Sequence, residues 1–192
     1  MRSGRRDADG AGTPGAVKIV VTGGPGVGKT TLVGTVGELR TLRMEDPSTG
    51  VPAGTTVDFG RIAVRRGLTA CLFGASMSGG AEELGNELCA RALGVVVLAD
   101  VRRLGDSFAA VDHVEGRLPF VVAVNCFPGV ERHAPLDIAR ALDLVDGTPV
   151  LLCDVRDRDS GKEVLIRLVE HAARWWEQAP YAVTDVTAGT GV

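Results

Sequence analysis

No uncharged stretch in this 192-residue chain is long enough to cross a bilayer. The polar opening, Met1 to Gly15, also lacks the apolar core of a secretory leader. Charge of one sign is missing too. A formal net charge of -3 leaves no electrostatic footprint for general nucleic-acid binding. The four cysteines, Cys71, Cys89, Cys126 and Cys153, form no C-x-x-C pair, which argues against a zinc knuckle or a redox motif. Three of them lie in or beside apolar runs and read as small reduced hydrophobes. The end, Thr190-Gly191-Val192, has no prenylation cysteine. These absences lead to the expectation of a cytoplasmic protein without membrane span or nucleic-acid partner.

What is present is a folded chain with 45% hydrophobic residues, and its length favours one domain. Its 26 glycines are spread without a collagen-like period. Apolar runs alternate with helical patterns. Val17 to Thr22 reads as a buried strand, followed by a glycine loop and a helix from about Lys29 to Leu39. Val57–Val64 and Leu68–Phe73 flank a hairpin turn at Arg65-Arg66-Gly67. Helices are expected at Glu82–Leu93, Ser107–Glu115 and Leu136–Leu144, with strands at Val95–Ala99, Phe120–Val124 and Val150–Cys153. Ser160-Gly161-Lys162-Glu163 has capping-box spacing, after which Val164, Leu165, Leu168, Val169, Ala172 and Trp176 trace an apolar face. The alternation predicts one α/β domain over residues 16–177. It is doubly wound and mostly parallel, with one antiparallel edge strand, between flexible tails at 1–15 and 178–192.

Between the first strand and helix lies Gly23-Gly24-Pro25-Gly26-Val27-Gly28-Lys29-Thr30, which satisfies G-x-x-x-x-G-K-[ST]. Glycines let successive backbone N–H groups turn inward toward phosphate oxygens, and the helix adds its positive end. Lys29 is placed to reach the β- and γ-phosphates, Thr30 to help hold Mg²⁺, and Thr31 to extend the contact into the helix. These features point to a nucleoside triphosphate as ligand.

Beyond the loop, the chain resembles the Ras-like small GTPases of actinobacterial conservon operons, a group related to bacterial polarity GTPases. The resemblance is carried by Val17-Lys18-Ile19-Val20-Val21-Thr22-Gly23-Gly24, Thr55-Thr56-Val57-Asp58-Phe59-Gly60-Arg61-Ile62 and Leu72-Phe73-Gly74. It continues through Asp106–Asp112, Phe120–Phe127, Cys153-Asp154 and Gly161–Leu165, and spans about residues 16–176. It implies a Ras-like fold, GTP/GDP and Mg²⁺ binding, slow hydrolysis, and partners of roadblock and sensor-kinase-like type. By the same resemblance a threonine after the first helix closes over the metal. Thr56 is the first candidate and Thr55 the second, against the plainer reading of two β-favouring residues opening a strand.

Three departures qualify those expectations. The segment Arg40 to Gly54 is shorter than in relatives and is expected to be a mobile loop. Where relatives carry Thr-Pro-Gly-Gln after Phe-Gly, this chain has Ala75-Ser76-Met77-Ser78, so Ser78 takes the place of the water-positioning glutamine. Gly74 stands where small GTPases usually carry a magnesium-side aspartate. The base-recognition run reads Asn125-Cys126-Phe127-Pro128, with proline in place of the guanine-reading aspartate. Asn125 is left to tie loops together, and Asp154 and Val155 to offer backbone contacts to the base. Asp100, ahead of Arg102-Arg103, reads better as a loop salt bridge than as a metal partner. The leading reading is a nucleotide-binding switch with weak hydrolysis. Its alternative is a pseudo-GTPase interaction module, and a metabolite kinase fits poorly because arginines for a lid are sparse.

Overall fold

The computed structural model of the chain describes residues 15–43, 56–65, 67–75 and 82–178. The elements run β1 (Gly15–Gly23), α1 (Lys29–Val36), β2 (Glu38–Arg43), β3 (Thr56–Arg65), β4 (Leu68–Gly74) and α2 (Glu82–Cys89). They continue with β5 (Gly94–Ala99), a 3-10 turn at Val101–Ser107, α3 (Phe108–Val114), β6 (Phe120–Asn125), α4 (Pro135–Ala141), β7 (Val150–Cys153) and α5 (Arg158–Gln178). The tails expected at 1–15 and 178–192 lie outside the described residues, apart from Gly15 and Gln178, which belong to β1 and α5.

The seven strands form one sheet in the order β2-β3-β4-β1-β5-β6-β7. β4, β1, β5, β6 and β7 pair in parallel, whereas β3 runs antiparallel to both β4 and β2. The antiparallel hairpin predicted on one side of the sheet is therefore present, with β2 added outside it. Every residue of β5 and β6 is buried, as a strand covered on both faces requires. Leu32, Val33 and Val36 of α1 and Val164, Leu165 and Leu168 of α5 pack on one face. Leu88 of α2, Val111 of α3 and Ile138 of α4 pack on the other. Because the connection after β1 leaves through α1 on one face while those after its neighbours β4 and β5 leave through α2 and α3 on the other, the loop after β1 opens on the crevice where such sheets bind ligands.

Four expectations are corrected. The first helix ends at Val36 rather than near Leu39, and the supposed loop from Arg40 begins inside β2. Residues 44–54 of that loop lie outside the described residues. Gly37 makes the change possible, since a Cβ there would meet the Arg61 carbonyl oxygen at 2.8 Å. The last helix begins at Arg158, before the predicted capping box. Asp157 caps it, its carboxylate accepting from the Ser160 N–H at 2.8 Å. Ser160 instead accepts the Asp154 N–H through Oγ at 3.0 Å. On that helix Val164, Leu165, Leu168 and Ala172 are buried as the periodicity predicts, while Val169 and Trp176 are largely exposed. Trp176 donates its indole N–H to the Leu93 carbonyl at 3.2 Å. All four cysteines are free thiols, and burial pushes Cys153 up to about 12. Among the described residues, no helix is long and apolar enough to cross a membrane.

Candidate functional site

The site lies along the carboxyl ends of the parallel strands. Gly23 closes β1, Gly74 closes β4, Asp100 follows β5, Asn125 closes β6 and Asp154 follows β7. A mostly apolar cavity of about 590 Å³ lies elsewhere, between α5, the opposite ends of β1 and β4, and β3.

Three glycines give the loop its shape. Gly23, Gly26 and Gly28 have φ of 138°, 69° and 112°, which an L side chain adopts only with strain. Gly28 is the N-cap of α1 and has no side chain, so the first N–H groups of that helix have no side-chain cap. A Cβ on Gly28 would meet Val155 Cγ2 at 2.9 Å and Asn125 Nδ2 at 3.1 Å. A Cβ on Gly24 would meet Asp106 Cβ at 2.6 Å. The loop is thus clasped on both sides.

Lys29 folds back over this loop, donating Nζ to the carbonyls of Gly23 at 2.9 Å and Gly24 at 2.8 Å. Burial holds its ammonium below the ordinary lysine value, and the Asp58 carboxylate pulls in the other direction. The Thr30 hydroxyl donates to Asp58 Oδ2. Thr31 lies on the exposed side of the first turn of α1.

Asp58 is the site residue that sequence reasoning did not single out. It stands on β3, paired with Gly74 of β4. A Cβ on Gly74 would meet Asp58 Cβ at 3.2 Å. The carboxylate that Gly74 cannot supply therefore reaches the same corner from the neighbouring strand. The available signal was the one acidic residue in the strand-like run Val57–Ile62. Thr56 opens the same strand, paired with Arg43 and two residues from Asp58, so it shares that face. Thr55, Met77 and Ser78 lie outside the described residues.

Asn125 ties the loops together as expected. Its Nδ2 donates to the Val27 carbonyl at 3.0 Å, and its Oδ1 accepts the Val155 N–H at 3.4 Å. The side chain is buried. The Asp154 carboxylate is held by Arg156, whose Nη2 lies 2.7 Å away and whose hydrogen bonds keep it at about 2. The N–H groups of Asp154, Val155 and Arg156 are all engaged within this corner. Pro128 sits exposed in the loop after β6.

Asp100 forms the predicted salt bridge. Only 3% exposed, it accepts from the Arg102 backbone N–H and from Nε and Nη2, with Nη2 at 2.6 Å. These bonds hold its carboxyl below the usual range. The Arg102 guanidinium also stacks on Phe127, 4.0 Å from the ring centroid, which anchors the base-side loop. Arg103 turns the other way, toward the phosphate loop, and donates Nη2 to the Pro25 carbonyl at 2.7 Å.

The donors present suit a small hard cation. Thr30 and Asp58 offer two oxygens at one point. Among the described residues no cluster of three or more His, Cys, Asp or Glu stands ready to hold a metal by itself. Mg²⁺ takes few protein ligands and completes its shell with phosphate oxygens and water, so the two oxygens of Thr30 and Asp58 match its needs.

No protein-family model matches this chain. No curated protein matches it. Solved structures do. The cytosolic domain of the T. maritima FeoB iron transporter in a GDP form matches with TM-score 0.64 and 20% identity, over 84% of this chain and 65% of that one. An S. thermophilus NFeoB T35A mutant bound to GDP matches with TM-score 0.62 and 16% identity, over 88% and 66%. The FeoB G-domain from Methanococcus jannaschii matches with TM-score 0.56 and 14% identity, over 83% and 99%. The chain therefore spans about 65% of the T. maritima structure it resembles and nearly all of the isolated G-domain. At these identities the likeness establishes a shared fold, that of the G-domains.

Proposed function

We propose that this chain is a guanine-nucleotide-binding switch that takes GTP or GDP with Mg²⁺ and hydrolyses GTP slowly by itself. The observation that carries the reading is the phosphate cradle. A helix without a side-chain cap, three left-handed glycines and the part-buried Lys29 converge at the switch point of a parallel sheet. On binding, the Lys29 ammonium exchanges the carbonyls of Gly23 and Gly24 for β- and γ-phosphate oxygens. Thr30 and Asp58 are the residues that would hold Mg²⁺, which would supply positive charge to offset that of the phosphates. Asn125 keeps the cradle rigid by joining Val27 to Val155. Support for guanine over adenine comes from the G-domain likeness and the GDP-bound relatives of that fold. The resemblance to conservon GTPases adds roadblock-type and sensor-kinase-like partners and a cytoplasmic site of action to the proposal.

Slow hydrolysis follows from Ser78 in the glutamine place, because its side chain is too short to bridge an attacking water and the phosphate. Calorimetric titration of the full chain with GTP, GDP and ATP, with and without Mg²⁺, tests the reading. Binding of guanine nucleotides, strengthened by Mg²⁺ for GTP, is expected. No heat with any of them at millimolar concentration refutes it and favours the pseudo-GTPase alternative, in which Lys29→Ala leaves partner complexes intact.

A further inference from the structure

Two adjacent arginines follow β5, and the backbone sends them in opposite directions. Arg102 is consumed by the buried Asp100 and by Phe127. Arg103 breaks the 3-10 turn, with φ -145° and ψ 50°, and this kink aims its side chain back across the sheet end to the phosphate loop. There Nη2 donates to the Pro25 carbonyl at 2.7 Å. It lies 3.7 Å from the point where a Gly26 Cβ would stand. Its only ion partner among the described residues is Asp106, at 3.6 Å, with both side chains about half exposed. Such an exposed, long contact constrains an arginine weakly.

A guanidinium carries five N–H donors in a planar fork, and Arg103 spends one of them on the loop. The fork matches the geometry of phosphate oxygens. Which phosphate it meets follows from the loop. The part nearest the helix cradles the α- and β-phosphates, so the third loop residue, Pro25, borders the terminal one. Resting on the Pro25 carbonyl, Arg103 is held at that border without being buried.

We propose that Arg103 is a catalytic arginine supplied by the chain to itself, contacting the terminal phosphate of the bound triphosphate. This deepens the nucleotide-switch reading and rests on it. In the reaction a water oxygen bonds to the γ-phosphorus. The bond to the β–γ bridging oxygen breaks with its electron pair passing to GDP, and the water proton ends on the released phosphate. Arg103 neutralises negative charge that spreads over the transferring group and the bridging oxygen. It takes no proton. An arginine in this role partly offsets the short Ser78 and makes the terminal phosphate the feature by which GTP is told from GDP.

The test compares wild type, Arg103→Ala and Arg103→Lys as full chains. The readouts are affinity for GDP, affinity for a non-hydrolysable GTP analogue, single-turnover GTP hydrolysis over hours, and thermal midpoint. Arg103→Ala is expected to slow hydrolysis by at least about tenfold, a modest share of the roughly 10³- to 10⁵-fold that arginines in this role supply, and to weaken the GTP analogue. GDP affinity and thermal midpoint stay at wild-type values, and Arg103→Lys recovers part of the analogue affinity by restoring the charge. If GDP and analogue affinity fall together along with the midpoint, Arg103 only braces the loop and the proposal is overturned. Unchanged hydrolysis and analogue affinity overturn it equally. Wild type that binds neither nucleotide fails one step earlier, at the proposed function itself.

Discussion

Replacing Gly28 by alanine adds one methyl group at the point where the loop, α1, β6 and the β7–α5 connection meet. Its φ of 112° is a conformation that costs a non-glycine residue roughly 1–3 kcal/mol. The new Cβ stands 2.9 Å from Val155 Cγ2, and Val155 is buried and has nowhere to retreat, which adds about 1–3 kcal/mol of overpacking. It also stands 3.1 Å from Asn125 Nδ2, so the bond from Asn125 to the Val27 carbonyl is strained or lost, worth about 1 kcal/mol. Against these stands a gain of about 0.4–1 kcal/mol from stiffening the unfolded chain. Destabilisation wins, by about 2–6 kcal/mol, and the thermal midpoint falls by roughly 2–4 °C for each of them in a domain of this size. The control is Gly129→Ala. Gly129 has φ 75° but nothing within 4 Å of its Cβ position, so only the conformational cost applies. Urea unfolding of both variants separates strain from packing. Equal losses in the two would refute the claim that Val155 and Asn125 clasp the loop.

Asp58→Asn keeps the size of the side chain and removes the charge beside Thr30, so Mg²⁺-dependent GTP affinity drops by about tenfold or more while affinity in chelator is unchanged. Competition titrations with and without EDTA check this, and equal loss in both conditions contradicts the metal assignment. Asp100 is held below its ordinary value by Arg102, so its stabilising contribution is complete above the unfolded aspartate value near about 3.9 and is lost as pH falls through the folded one. The urea midpoints of wild type and Asp100→Asn should therefore differ at pH 6 and draw together as pH falls below the unfolded aspartate value, and a gap that widens with acidity would be the wrong sign. Gly161→Ala in α5 tests which of two effects wins. Better helix propensity offers about 1 kcal/mol, but the Cβ would sit 2.5 Å from Val36 Cγ1 and 3.0 Å from Leu32 Cδ1 in the α1–α5 contact. A net loss of about 1–2 kcal/mol in chemical unfolding is expected, and a more stable variant contradicts the packing described here.

The strands that could be read from sequence are those whose burial leaves a mark. β5 and β6 are covered on both faces and so appear as unbroken apolar runs. β2 left no such mark. It is the outermost strand, its Leu39 and Leu42 are both partly exposed, and Glu38-Leu39-Arg40-Thr41-Leu42-Arg43 has no clean alternation. The phosphate loop was legible because its chemistry is local, eight consecutive residues between a strand and a helix. Asp58 was not, because its meeting with Thr30 across 28 residues depends on the β3–β4 register and on the missing side chain at Gly74. The kink at Arg103 was hidden for a similar reason. Nothing in Arg102-Arg103 tells which of two identical side chains Asp100 will claim. The misplaced start of α5 is a choice between neighbouring caps, Asp157 and Ser160, that sequence spacing cannot rank.

The central claim is that the cradle around Lys29 binds a guanine nucleotide. The most direct test is calorimetric titration of a non-hydrolysable GTP analogue, with Mg²⁺, into the wild-type chain and into Lys29→Ala. Saturable binding to wild type is expected, with a loss of at least about a hundredfold in the variant and the same thermal midpoint for both proteins without nucleotide. Equal affinity of the two chains, or no binding to wild type at millimolar analogue, would contradict it.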